Sequence, residues 1–232
     1  MPVNTLDMAL AYIADIESYI PDYYGQRERD SLSAYALWVR DLAGQRDTSK
    51  AETLYQDRGD ELAVDAIAWL WSSIDDTGMR DDIERTLNNR AVETAGAANF
   101  TTEYGDSSYL VMQSDRRTDG IVLDALIANS PDSDLIPKVV AGLLANKVKG
   151  RWNNVQENAF ILLALKSYFD EYEAQTPAFV ATVWLGDRFA GEHSFQGRET
   201  DRVNLTIPTS ELIATGEVIA AAGADILPGL PA

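Results

Sequence analysis

Residues 159–165 read Ala-Phe-Ile-Leu-Leu-Ala-Leu, seven apolar positions in a row. A helix built from them is apolar on every side, so it has to be covered on every side. Segments 32–39, 62–71 and 121–127 have the same character. We therefore expect four buried helices, with Phe160 and Leu163 in the core of the last one.

Amphipathic segments alternate with these apolar ones along the chain. Their stripes at helical spacing lie within 9–20, 51–55, 83–87 and 135–144. This alternation predicts a mainly α fold, a partial α/α toroid, in which inner helices pack on one another and outer helices keep one wet face. A four-helix bundle would show four equivalent stripes and is therefore disfavoured.

The helical pattern ends near residue 174. The predicted helices cover 5–20, 31–43, 60–73, 79–92, 115–128, 134–147 and 154–170. Ser49 and Glu52 suggest a capping box at the start of a short amphipathic stripe. The glycines and polar residues of 94–112 predict a long ordered loop.

After Pro177 the pattern alternates with period two, as in half-buried strands. It predicts strands near 178–185, 188–195 and 202–207, and Gly186-Asp187 predicts the turn of a hairpin. The last residues, 227–232, show no recognisable element. We therefore divide the chain into a helical part, 1–175, and a truncated strand segment of a β-sandwich, 176–232.

Charge and composition exclude several classes of partner and chemistry. The 232 residues carry 37 acidic and 19 basic side chains, a net charge of −18. Such a surface repels phosphate backbones and anionic bilayers, so we expect no nucleic-acid partner and no direct membrane binding. No apolar run reaches the length of a membrane span, and the first residues do not resemble a signal peptide. Cysteine is absent, which excludes disulfides and cysteine nucleophiles within these residues.

Three aspartates near one predicted helix could serve as paired carboxylates. Asp115, Asp119 and Asp124 are four and five residues apart, and sugar-cleaving enzymes with a toroid fold use such pairs. The alternative is a cluster at a helix N-terminus that interacts favourably with the helix dipole and with Arg116 and Arg117. We favour the second interpretation.

Other polar and aromatic residues have structural explanations. His193, the only histidine, is expected to be a packed or half-exposed strand residue. The triplet 156–158, Gln-Glu-Asn, is expected to satisfy backbone N–H groups at a buried helix end. We expect Trp152 to plug the inner ring, and Tyr23 and Tyr24 to pack in a loop, although a gating role for this pair is conceivable.

The last helix and its entry loop also resemble a known family. Residues 150–165, Gly-Arg-Trp-Asn-Asn-Val-Gln-Glu-Asn-Ala-Phe-Ile-Leu-Leu-Ala-Leu, resemble the final segment of the thioester domain in alpha-2-macroglobulins and complement components. A Gly-x-aromatic turn, a Gln-acid-polar triplet and an apolar helix recur there. Residues 114–127 resemble the matching helix of the bacterial branch, and 183–198 resemble the segment just after its thioester domain.

The resemblance implies a fragment of a bacterial alpha-2-macroglobulin-like protease-trapping inhibitor. The fragment would be a non-catalytic helical module used in target capture, with no cofactor, catalytic residue or metal site of its own. Its partners would be proteases, through the full-length protein, and other domains of the parent chain. The parent would be periplasmic, an inner-membrane-anchored lipoprotein whose anchor lies outside this fragment.

One feature of that family is missing. Its thioester is formed by a Cys-x-Glu-Gln motif, and this chain has no cysteine. Either the motif lies upstream in the parent chain, or the parent belongs to the subgroup that lacks it. Two other functions stay open at this point, namely a carbohydrate-active toroid enzyme and a helical protein-binding scaffold.

Overall fold

A computed structural model describes residues 4–94, 96–102, 104–173, 178–185, 188–196 and 220–223. The chain forms two compact units, Met1–Glu171 and Tyr172–Ala232. Among the described residues, no helix combines the length and the apolar character that crossing a membrane requires.

In the described part of the first unit, the chain forms eight α-helices. They are α1 (Thr5–Ala14), α2 (Gln26–Leu42), α3 (Thr48–Arg58), α4 (Val64–Trp71), α5 (Thr77–Arg90), α6 (Asp115–Asn129), α7 (Leu135–Ala145) and α8 (Val155–Tyr168). Short 3-10 turns cover Ile16–Tyr19, Gly59–Glu61 and Gly105–Val111, and a π-turn covers Phe169–Glu173. Two-residue strands β1 (Val92–Glu93) and β2 (Ala98–Asn99) pair antiparallel between α5 and α6.

The even-numbered helices form the inner layer and the odd-numbered helices lie outside it. Helices α2, α4, α6 and α8 pack in that order, while α1, α3, α5 and α7 each pack against a neighbouring inner helix. All eight residues of α4 are buried, whereas α5 buries only Ile83 and Leu87. The alternation of apolar and amphipathic segments thus produces the predicted mainly α fold with a partial α/α toroid.

Helix α8 differs from the other inner helices because only part of it is covered. Ile161 is fully buried against α6, but Leu162 and Leu163 are 58% and 54% exposed. Phe160 is half-buried and reaches the aromatic rings of α2. The prediction that this helix is buried all round, with Leu163 in the core, is therefore wrong. Helix α8 packs mainly on α6, so its opposite flank faces outward.

Several local predictions also need correction. The helix predicted over 5–20 ends at Ala14 and continues as a 3-10 turn. The short amphipathic stripe at 51–55 lies in a full helix, α3. Asp47, and not Ser49, caps this helix by accepting the Lys50 backbone N–H. The predicted loop 94–112 contains β2 and a 3-10 turn. Short polar segments carry too weak a period to reveal these elements.

The second unit contains a three-stranded antiparallel sheet. Its strands β3 (Ala178–Leu185), β4 (Arg188–Gln196) and β5 (Ala220–Gly223) lie in the order β4-β3-β5. The antiparallel pairing of β3 and β4 confirms the two predicted strands. The predicted turn at Gly186-Asp187 and the third predicted strand, 202–207, lie outside the described residues. Strand β5 was not predicted, because its small residues carry no alternation. His193 lies half-buried on β4 with its ring against Phe195, as expected.

Candidate functional site at the inner helices

A buried polar cluster joins the N-terminal ends of the inner helices α2, α4 and α6. The Arg117 guanidinium lies 3.1 Å from the Asp65 carboxylate, and both side chains are almost fully buried. The Tyr104 hydroxyl donates to Asp65 at 2.6 Å and lies 2.8 Å from the Ser31 hydroxyl. Burial and the adjacent carboxylate raise the pKa of the Tyr104 phenol. Tyr104 therefore stays protonated and serves as a donor, and the cluster is charge-balanced.

Aromatic side chains from three inner helices meet beside this cluster. Tyr35 and Trp38 of α2 approach Trp69 of α4 and Phe160 of α8, with ring centroids 4.9–6.4 Å apart. The Arg117 guanidinium lies over the rings of Trp69 and Phe160, 5.1 and 5.3 Å from their centroids. The rings of Trp69 and Phe160 therefore already stabilise one cation on the side that faces the polar cluster.

Asp119 of α6 forms a second buried polar contact. Its carboxylate is fully buried and accepts the Phe100 backbone N–H at 2.6 Å. Its second oxygen lies 3.0 Å from Arg116 without a well-aligned hydrogen bond. Desolvation therefore dominates and raises the pKa of Asp119 to about 7. Arg116 opposes this shift, and the nearby Asp115 adds to it.

The three aspartates do not converge on one accessible site. Asp115 lies in the first turn of α6 and accepts the Thr102 backbone N–H. Asp119 is sealed from solvent, and Asp124 accepts from Ser167 at 2.8 Å on α8. Inverting and retaining glycosidases both need two accessible carboxylates that flank one bond. The arrangement thus disfavours the glycosidase interpretation. The helix-terminus interpretation fits Asp115 and the Arg116–Asp119 pair, whereas Arg117 pairs with Asp65.

Polar side chains form hydrogen bonds at the entry to α8, and two of them belong to the predicted triplet 156–158. Asn154 caps the helix by accepting the Glu157 backbone N–H. Glu157 accepts the Asn153 N–H at 2.7 Å and also the Ser114 hydroxyl. Asn158 accepts from the Trp152 N–H and donates to its carbonyl. Glu157 and Asn158 therefore satisfy backbone groups at a helix end, as the sequence predicted.

The remaining aromatic candidates lie away from this cluster. Trp152 is buried, and its indole N–H donates to the Leu143 carbonyl of the outer helix α7 at 2.9 Å. It therefore anchors the turn between α7 and α8 and does not plug the inner ring, which corrects our prediction. Tyr23 and Tyr24 contact each other, with Tyr23 largely exposed, in the loop before α2.

Sequence reasoning did not find the cluster of Asp65, Arg117 and Tyr104. A signal was available for Asp65, because an acid inside the apolar run 62–71 has to be paired if it is buried. Its partners lie 52 and 39 residues away, which a single sequence does not reveal. Within the described residues, no group of three or more histidine, aspartate or glutamate side chains could hold a metal ion.

Comparison with solved structures shows the fold. The chain superposes on alpha-2-macroglobulin of Salmonella reacted with methylamine, with a TM-score of 0.55 and 15% identity over 84% of this chain. For E. coli alpha-2-macroglobulin, the TM-score is 0.57 at 12% identity for the native conformation and 0.53 at 14% for the trypsin-activated form, each over 85% of this chain. The resemblance to bacterial alpha-2-macroglobulins is thereby confirmed at the level of the fold.

Curated relatives match shorter parts of the sequence. An alpha-2-macroglobulin homolog from Nostoc sp. is 34% identical over 90 residues, which are 39% of this chain. Circularly permutated Ras protein 2 from Dictyostelium discoideum is 24% identical over 173 residues, 68% of this chain. No protein-family model matches. The chain spans only 5% of the Nostoc homolog and 4% of the Dictyostelium protein. It spans 12–13% of the three superposed structures.

Proposed function

We propose that the chain is part of a bacterial alpha-2-macroglobulin-like protein that traps proteases. Residues 1–175 would be the C-terminal part of its thioester-type helical domain, and 176–232 the start of the following CUB-like β region. The fold match to bacterial alpha-2-macroglobulins over 84–85% of the chain carries the proposal. The 34% identity to the Nostoc homolog supports it independently.

The chemistry of the inner helices suits a module that is moved as a unit and performs no catalysis. Asp65 accepts hydrogen bonds from Arg117 and Tyr104 in a buried network, so these groups are not poised to attack a substrate. A network of this kind fixes the packing of α2, α4 and α6. Such a rigid body can swing as a whole when a bait segment elsewhere in the protein is cleaved. One of the superposed structures is described as trypsin-activated, which fits that sequence of events.

The proposal extends to partners and location. Proteases would be captured by the full-length protein, and the helical part would contact other domains of the parent chain. The parent would reside in the periplasm, held to the inner membrane by a lipid anchor outside these residues. The chain itself cannot form the thioester, because the acyl group of that bond sits on a cysteine sulfur and the chain contains no cysteine.

Protease trapping has a readout that separates it from ordinary inhibition. The longer protein that carries these residues is mixed with elastase, and the elastase is assayed with a small peptide substrate and with a large protein substrate. A trapped protease keeps its activity on the peptide and loses it on the protein. The isolated 232-residue chain is the matched control and should change neither rate. Full activity on the protein substrate in the presence of the longer protein would refute the proposal.

A further inference from the structure

A small slot lies between the inner helices, beside the aromatic side chains of α2, α4 and α8. Its walls include Trp38, Trp69 and Phe160, and its polar lining includes Asp124 and Ser72. The slot offers about 20 Å³, which is room for one water-sized group. All of these residues belong to the first unit, so the slot is complete within the helical part.

Asp124 places an uncompensated charge at this slot. The side chain is half-buried, and one oxygen accepts the Ser167 hydroxyl at 2.8 Å. Across the described ranges no lysine or arginine forms an ion pair with Asp124, in contrast to Asp65 and Asp119. The net charge of −18 raises the local concentration of cations near the chain.

The aromatic walls favour a cation over a neutral apolar group. The faces of aromatic rings carry negative potential, and they attract ammonium and guanidinium groups within about 6 Å of the ring centre. Arg117 already uses the rings of Trp69 and Phe160 in this way. The slot is lined by these same two rings and by Asp124, so the attraction of the rings is combined there with that of a carboxylate.

We propose that this slot binds the primary ammonium group of a lysine side chain presented by a partner protein. The ammonium is close to water in size and fits the available volume, whereas a guanidinium is larger than the slot. The lysine methylenes would lie against Leu163, which lines the slot and is 54% exposed. This site is separate from the protease-trap proposal, and its test does not require the longer protein.

The test titrates the 232-residue chain with Nα-acetyl-lysine methylamide and, separately, with its norleucine analogue, which has nearly the same shape and no charge. The signals are the indole N–H resonances of the tryptophans, with Trp152 as an internal reference because it lies in the turn between α7 and α8 and does not line the slot. We expect the lysine probe to shift Trp38 and Trp69 and to bind about tenfold more tightly than the norleucine probe. The arginine analogue should bind more weakly than the lysine probe.

The matched variants are Asp124→Asn and Asp132→Asn. Both remove one negative charge, but Asp132 is exposed in the turn between α6 and α7. Asn at 124 can still accept from Ser167, so we expect the fold to be kept. Asp124→Asn should weaken lysine binding about tenfold, and Asp132→Asn should change it less than about twofold. Equal effects of the two variants would refute the proposal. Equal binding of the lysine and norleucine probes to the unaltered chain, or no binding of either, would refute it without any variant.

Discussion

The uneven burial of α8 predicts different losses of stability at two nearby positions, 161 and 163. Ile161 and Leu163 are of equal size, two residues apart on the same helix, yet Ile161 is fully buried and Leu163 is 54% exposed. Ile161 also packs against the backbone of α6 at Gly120, where an added Cβ would lie 3.0 Å from its Cγ1 atom. Truncation to alanine should therefore cost far more at 161 than at 163.

The magnitude follows from the atoms that lose their contacts. Ile161→Ala removes three buried carbon atoms, at about 0.8 kcal/mol each, and leaves a cavity that α6 and α8 cannot fully close. We expect a loss of about 3–4 kcal/mol in the free energy of unfolding of the helical unit. Leu163→Ala removes carbon atoms that are half in water already, so it should cost less than about 1 kcal/mol.

Urea unfolding measures both values. Circular dichroism follows the helices, and tryptophan fluorescence is dominated by residues of the first unit. The free energies come from linear extrapolation, with the slope compared between variants to check that the unfolded states are alike. In thermal melts the difference between the two variants should be about 6–12 °C. Equal losses at 161 and 163 would mean that Leu163 is buried. They would refute the conclusion that one flank of α8 is exposed.

Three further predictions concern the charged groups. The pKa of Asp119 is raised to about 7, so the folded chain holds a proton that the unfolded chain releases above about pH 4. The contribution of Asp119 to the free energy of unfolding should therefore fall by about 4 kcal/mol as pH rises from 4 to 8. Urea unfolding of the Asp119→Asn variant across this pH range should lack the loss. Arg117→Ala leaves Asp65 buried and unpaired and should cost about 3–5 kcal/mol, whereas the double variant Arg117→Met, Asp65→Leu should recover most of it. Asp47→Ala removes the cap of α3 and should lower the free energy of unfolding by about 1 kcal/mol, whereas Ser49→Ala should leave it almost unchanged. Equal losses for the two variants would contradict the assignment of Asp47 as the cap.

Local patterns predicted much of the fold. Runs such as 62–71 and 121–127 are apolar around the helix and became α4 and the buried part of α6. The switch to period two after Pro177 predicted the β3–β4 hairpin to within one residue. Glu157 and Asn158 in the first turn of α8 form hydrogen bonds with their own helix end, so short-range hydrogen bonding was enough to predict their role.

Long-range pairing could not be predicted in the same way. Arg117 was expected to join a local carboxylate cluster, yet it pairs with Asp65 of α4. Asp119 was expected in a cluster at a helix terminus, yet it is fully buried and accepts the Phe100 backbone N–H. Both outcomes depend on contacts between elements that are far apart in the sequence. A single sequence does not show which of these elements come into contact.

By itself, the sequence determined the kind of each main element and the order of inner and outer helices. Hydrophobic period and helix-end chemistry act over a few residues, and they are present in the chain before it folds. Tertiary structure alone decided which side of α8 is covered, which acid receives Arg117, and that Asp124 stays without a partner cation among the described residues. Burial and ion pairing are properties of neighbours in space, so they appear only once α2, α4, α6 and α8 have packed together.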